Sequence, residues 1–391
     1  MQRITDDQRR ARIGQRHALS TLAASVADAA SAMTCLHATE PASVYLSAAA
    51  RTDASRAEID QALYVDRSVV KQLSMRRTLF AYPRGLLPAV WGSAAARVAA
   101  QQHARLAKEV VEHGHAEDGA RWVAQAYADV LEHLRVHGPA TTQQIRAALP
   151  ALEARLSLSP GKTWAAEVSI APRVLTALAA DGSVLRGEND GGWKTSRPRW
   201  TVTEQWLGAP AAPLSEDDGY AALVGAWLTT FGPGTEEDVV WWLGATKAAV
   251  RTALVAVGAE QVTLEDGTPA WVAAGDTGDV DPVAPWAALL PALDPTTMGW
   301  KERGFYLGEH AAAIFDRNGN GGPTAWWDGR IVGAWHQEPS GEVRLALLDD
   351  VGKAGQAALE SEAARLTGWL AGDVVNTIYQ APMIREMKKK P

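Results

Sequence analysis

The chain has 391 residues, 47% of them hydrophobic, and a formal net charge of −7. That is enough apolar material for two to four domains with proper cores, and it excludes a disordered protein. The one cysteine, Cys35, excludes an internal disulfide or a cysteine-rich zinc site, the N-terminal segment lacks a signal peptide's apolar stretch, and no apolar run nears the ~20 residues that cross a bilayer, so a cytoplasmic, membrane-free protein is expected.

Residues 1 to about 125 read as mostly helical, with an apolar-rich helix from Ala23 to Met33 and a long Ala- and Arg-rich stretch from Leu87 to about Val111. Between them, Leu36-His-Ala-Thr-Glu-Pro41 packs an imidazole, a hydroxyl and a carboxylate together ahead of Val44-Tyr-Leu-Ser47. His37 and Thr39 are two apart and can point to one side of an extended backbone, with Thr39 as helix cap and Glu40-Pro41 in the first turn. Such an arrangement suits catalysis, and it equally suits a hydrogen-bonding histidine beside a cap.

A repeated phrase follows: His137-Gly-Pro-Ala-Thr-Thr-Gln-Gln-Ile145 and Phe231-Gly-Pro-Gly-Thr-Glu-Glu-Asp-Val239. In each, Gly-Pro stops an apolar helix (Val130 to Val136; Leu223 to Leu228), and Thr141 or Thr235 caps a second one. After the first copy come a helix from Val174 to Ala180 and strands Ser183 to Arg186 and Arg199 to Thr203, whose Gly-rich connection reads as a wing. After the second come a helix from Ala248 to Val257 and strands Gln261 to Leu264 and Ala270 to Ala273. This is the order of tandem winged helices, which makes double-stranded DNA the first partner to test. A weaker third unit lies upstream, where Ser55 to Leu63 aligns with Thr141 to Leu149 and Thr78 to Tyr82 supplies a wing, although amphipathic helices in general align this well.

Positive charge gathers at Arg9, Arg10, Arg12 and Arg16; at Arg67, Lys71, Arg76, Arg77 and Arg84; at Arg186, Lys194, Arg197 and Arg199; and at Arg385 with Lys388 to Lys390. The second and third groups fall on the first two wings and are the expected phosphate contacts, the alternative being solvated surface charge. Trp193 and Trp200 sit beside the second wing, placed either to stack on a base or to anchor the wing in the core. The segment from Ala209 to Ser215 reads as a linker, and Gly275 to Pro282 as a boundary. Beyond it, strands at Gly304 to Leu307, Thr324 to Trp327, Arg330 to Trp335 and Val343 to Leu348 suggest a small, strongly curved sheet or barrel covered by a helix from Lys353 to about Leu370.

The domains so drawn are 1–125, with the first winged helix, then 126–208, 214–278 and 283–391. His113-Gly-His115 lacks a third nearby histidine and reads as a loop, and Asn318-Gly-Asn-Gly-Gly322 lacks the closing Glu of a calcium loop and reads as a turn. Nucleotide-binding, zincin and serine-hydrolase motifs are missing, so no metal or cofactor is expected.

The chain resembles the AlkZ-like and YcaQ-like DNA glycosylases, a bacterial family of tandem winged-helix proteins that remove alkylated purines and unhook some interstrand crosslinks. The resemblance spans nearly the whole length. It rests on Leu36-His-Ala-Thr-Glu-Pro41, Met75-Arg-Arg-Thr-Leu-Phe80, Leu290-Pro-Ala-Leu-Asp-Pro-Thr-Thr-Met-Gly-Trp-Lys-Glu-Arg303, and Phe315-Asp-Arg-Asn-Gly-Asn-Gly-Gly-Pro-Thr324 with Asp328-Gly-Arg-Ile-Val-Gly333. It implies an α+β fold of three winged helix-turn-helix units around a concave channel, plus a small C-terminal β-barrel. It also implies a monofunctional glycosylase, active as a monomer in DNA repair or genotoxin self-resistance, with His37, Thr39 and Glu40 at the catalytic position. Family members of known activity carry Gln-x-Gln or Gln-x-Asp where this chain has His37-Ala38-Thr39, though His at the first position occurs among relatives. The alternatives are a non-catalytic winged-helix DNA-binding protein or transcriptional regulator on the same scaffold, and an interaction module that touches no nucleic acid.

Overall fold

A computed structural model of the protein describes residues 2–158, 166–209 and 211–388. Three times along it, a hydroxyl residue and the residue three positions on cap a short helix reciprocally: Ser55 with Glu58, Thr141 with Gln144, and Thr235 with Asp238. Each cap side chain accepts from the backbone N–H three residues later, and that residue's side chain accepts from the cap's own N–H. Two amides that the helix cannot satisfy are thereby paired. Each capped helix also precedes a hairpin whose second strand pairs with a short extended segment upstream. The sheets run in the order 36–37, 78–83, 69–74 and in the order 140–141, 198–202, 184–189. In the third case Gly234 bridges Trp271, beside the paired strands Glu260–Leu264 and Pro269–Val272.

The chain divides into two compact units. One holds residues up to Val70, Ala81–Leu86 and from Tyr220 onward; the other holds Lys71–Phe80 and Leu87–Gly219. The second unit's core joins the helices Ala94–Glu112, Gly119–His137 and Ala171–Ala180 through Val110, Val130, Leu134, Val174 and Leu178, with Ile145, Val184 and Trp200 packed against them. Trp200 is 4% exposed and donates from Nε1 to Thr142 Oγ1 at 2.9 Å, so it anchors the hairpin and offers no ring to a base. The long helix expected from Leu87 is interrupted at Ser93, between Leu87–Gly92 and Ala94–Glu112.

In the first unit an aromatic cluster forms the core. Phe231 meets Trp300 edge-on at 5.3 Å and lies 5.7 Å from Trp227, and Tyr306 stacks on Trp326 at 5.2 Å. Four antiparallel strands, Ala287–Leu290, Thr324–Trp327, Arg330–Gln337 and Val343–Leu347, run side by side in sequence order, and the helix Gly352–Leu370 packs across them. This sheet is open rather than the expected barrel, because among the described residues its outer strands do not pair with each other. Its first strand, Ala-Ala-Leu-Leu, carries no β signal of its own and is fixed by pairing with Thr324–Trp327. Gly304–Leu307, expected as a strand, is a helical turn instead. Phe305, Tyr306 and Leu307 are all buried, so the alternation of a half-exposed strand is absent.

Candidate active site beside His37

The Leu36–His37 strand leads through Ala38 into the helix Pro41–Ala49, whose residues from Ala42 onward are all buried. At the far end of this helix, Arg51 and Asp294 form an ion pair at 2.7 Å with both side chains fully buried. Arg51 also donates to the carbonyls of His17 and Ser47 and to Thr296 Oγ1, while Asp294 accepts from Ser47 Oγ and the Thr296 N–H. Burial alone pushes the Asp294 carboxyl up, but the Arg51 charge and these hydrogen bonds outweigh it and hold the group below its usual range. His17 completes the network, with Nε2 against the Thr230 carbonyl at 3.1 Å and Nδ1 against Thr296 Oγ1 at 2.9 Å. A carbonyl only accepts, so the imidazole carries its hydrogen on Nε2 and takes the Thr296 hydroxyl's at Nδ1. Burial, reinforced by the Arg51 charge, pushes His17 down to about 3.

The helix so anchored presents its N-terminal end to the His37 motif. His37 is 8% exposed, and the Thr39 N–H points at its Nδ1 from 3.4 Å, the outer limit of a hydrogen bond. Thr39 is exposed and does not cap the helix as expected. Pro41 occupies the first helical position, which makes Glu40 the cap residue and leaves Thr39 one place too early. Nor does Glu40 cap with its side chain. Its carboxylate accepts from Thr377 Oγ1 and from the Ile378 N–H, each at 2.7 Å. A C-terminal segment is therefore fastened to the motif's carboxylate, something that nothing in the sequence near residue 40 announces. Tyr379 lies in the same segment, and burial together with the charges of Glu40 and Asp316 raises its phenol.

The expected DNA-binding residues divide into those on the surface and those spent within the fold. Arg76 and Arg77 are exposed at the tip of the 69–83 hairpin, both in the left-handed backbone region, with φ of 54° and 57°. Arg67 is half-buried, with φ also 54°. Lys71 is 6% exposed and faces the interior, a correction to its expected phosphate contact that follows from its place in a fully buried strand. Arg186 is likewise withdrawn: burial lowers its pKa, and its guanidinium lies 5.0 Å from the Trp200 ring. Lys194 is exposed, 6.0 Å from the half-buried Trp193, whereas Arg197 and Arg199 both reach Asp190, at 3.3 and 3.8 Å.

The N-terminal arginines also turn inward: Arg9 lies over the Phe305 ring at 3.4 Å, Arg10 donates to the Phe305 carbonyl, and Arg16 pairs with Asp276. Of the C-terminal basic group, Arg385 donates to the Ile378 carbonyl at 3.2 Å, while Lys389 and Lys390 lie outside the described residues, as does Pro210 of the expected linker. Asp316 accepts from the Asn318 and Asn320 N–H groups, which makes Asn318–Gly322 a turn, as expected. Among the described residues no helix is long and apolar enough to cross a membrane.

Capped helices followed by hairpins, joined to an open sheet and a buried histidine motif, define a mixed α/β protein of repeated construction. The family model for AlkZ-like DNA glycosylases matches residues 30–369, and the chain belongs to that family. Among solved structures, the DNA glycosylase AlkZ of Streptomyces sahachiroi is similar in fold, with a TM-score of 0.73 at 21% identity, covering 96% of this chain and 98% of that one. No curated protein matches the chain.

Proposed function

We propose that the protein is a monofunctional DNA glycosylase that hydrolyses the N-glycosidic bond of N7- or N3-alkylated purines in double-stranded DNA, crosslinked purines included. The observation that carries this reading is the placement of His37, in a chain of a glycosylase family, at the N-terminal end of a rigidly anchored helix, with an exposed hydroxyl two residues on and a carboxylate three residues on. The three capped-helix and hairpin units serve as winged helices, and Arg76, Arg77 and Lys194 are the exposed hairpin-tip cations that would meet phosphates.

An alkylated purine of this kind is cationic, so the C1′–N bond breaks with its electron pair leaving on the base, which departs neutral. The sugar left behind is oxocarbenium-like and takes up any water held against it, so positioning counts for more than base strength. Neutral His37 accepts the proton released as the water oxygen bonds to C1′, and the Thr39 hydroxyl holds that water. The Glu40 carboxylate, held by its two hydrogen bonds, stabilises the cationic sugar through space. The 3.4 Å contact at His37 Nδ1 is long enough to be released at small cost when the ring takes up its proton.

The test is base release from a duplex carrying 7-methylguanine or a bulkier N7-alkylguanine, read as strand breaks after alkaline cleavage. His37→Ala should lower release at least a hundredfold while duplex affinity stays within threefold. Tight, salt-dependent binding by a wild type that releases no base would favour a non-catalytic reader of DNA.

A further inference from the structure

Ile378 is a β-branched aliphatic residue, 74% exposed, in an irregular segment that is otherwise well fastened. Both of its backbone groups are engaged, the N–H by Glu40 Oε1 at 2.7 Å and the carbonyl by Arg385 at 3.2 Å. On either side the segment is tied down. Val375 N–H donates to Gln337 Oε1 at 2.8 Å, while Gln337 Nε2 donates to the Asp373 carbonyl at 3.0 Å. Ala381 is fully buried against Gly322, and Ile384 is 2% exposed. A backbone held this firmly gives the Ile378 side chain few directions to point, and branching at Cβ removes most of its remaining freedom. The residue thus leaves apolar surface in water with little packing in return, and its own N–H is bonded to the carboxylate of the His37 motif.

Resting on the glycosylase reading above, we propose that Ile378 is an apolar wedge that enters the base stack beside the target nucleotide and turns its glycosidic bond toward His37. Insertion of an aliphatic side chain between base steps must offset the lost stacking, and a preorganised side chain loses little entropy of its own on insertion. Glu40 is then bifunctional by position, since the carboxylate that faces the site also sets the height of the wedge.

The probe is a duplex with 7-methylguanine flanked by 2-aminopurine, whose fluorescence rises when it unstacks. Wild type should brighten it severalfold on binding. Ile378→Ala should abolish the rise and lower kcat/KM for duplex at least tenfold, while leaving release from the same lesion in single-stranded DNA within twofold. Ile378→Leu should restore both, and the thermal midpoint of either variant should stay at the wild-type value, because so exposed a side chain adds no core packing. Equal duplex turnover by Ile378→Ala and wild type would overturn the wedge and leave the glycosylase reading standing. A wild type that brightens the probe without releasing base would do the reverse, and loss of turnover on duplex and single strand alike would also overturn the wedge.

Discussion

At the scale of single residues, the buried pair Arg51 and Asp294 anchors the far end of the helix that follows the His37 motif. Every donor of Arg51 is matched, and Asp294 accepts from Ser47 and Thr296 besides being charge-paired with Arg51. Removing one partner strands a charge where water does not reach, which costs far more than the intact pair contributes. Arg51→Ala should therefore destabilise the protein by about 3–5 kcal/mol, measured by urea unfolding, and a loss below 1 kcal/mol would show that the network relaxes or hydrates. The sequence displays Asp294 plainly, inside the Leu290 to Arg303 stretch that carries the family resemblance, but as a conspicuous residue without a partner. Its counterpart lies 243 positions away, and no local pattern links the two. The repeated phrase teaches the same lesson from the other side: Gly234 stands where the first copy has Ala140 because a Cβ there would run into the Trp227 ring.

Among elements, those with a strong local signature were readable and those made by tertiary pairing were not. Caps at Thr141 and Thr235, and the hairpin strands after them, follow from Gly-Pro stops and alternating patterns. The Thr39 cap failed on a register of one residue set by Pro41. The 371–388 segment is the larger omission, since it lacks periodicity and is shaped largely by partners distant in sequence, among them Glu40, Arg56, Gln337 and Gly322. Gly322 gives a way to probe it. A Cβ there would collide with the Ala381 nitrogen and lie 2.6 Å from its Cα, backbone atoms that do not yield as a side chain would. Gly322→Ala should cost about 1–3 kcal/mol and make the residues after Leu370 more open to limited proteolysis. Unchanged cleavage kinetics would mean that the segment is held independently of this contact.

For the molecule as a whole, His17 couples stability to pH. Its folded value of about 3 lies below the ordinary 6.5, so the unfolded chain binds a proton that the folded chain refuses. The resulting stability is fully present above pH 6.5 and is lost as pH falls toward 3, at up to about 1.4 kcal/mol per pH unit. Asp294, held low as well, adds a loss of the same sign at more acid pH. Unfolding free energy measured from pH 7 to pH 4 should fall steeply in the wild type and more gently in His17→Asn. Parallel slopes would assign the acid sensitivity elsewhere. Charge is distributed unevenly: within a net charge of −7, a few hairpin-tip cations are exposed and many of the rest are buried or paired.

The bond from Thr377 to Glu40 joins positions 337 apart in sequence. During synthesis, then, the ribosome has made the histidine motif and nearly everything between before the residues that fasten to it emerge. A polypeptide stopped short of Thr377 lacks both donors that hold the Glu40 carboxylate, so a message cut late in its reading frame yields a chain with that carboxylate unfastened.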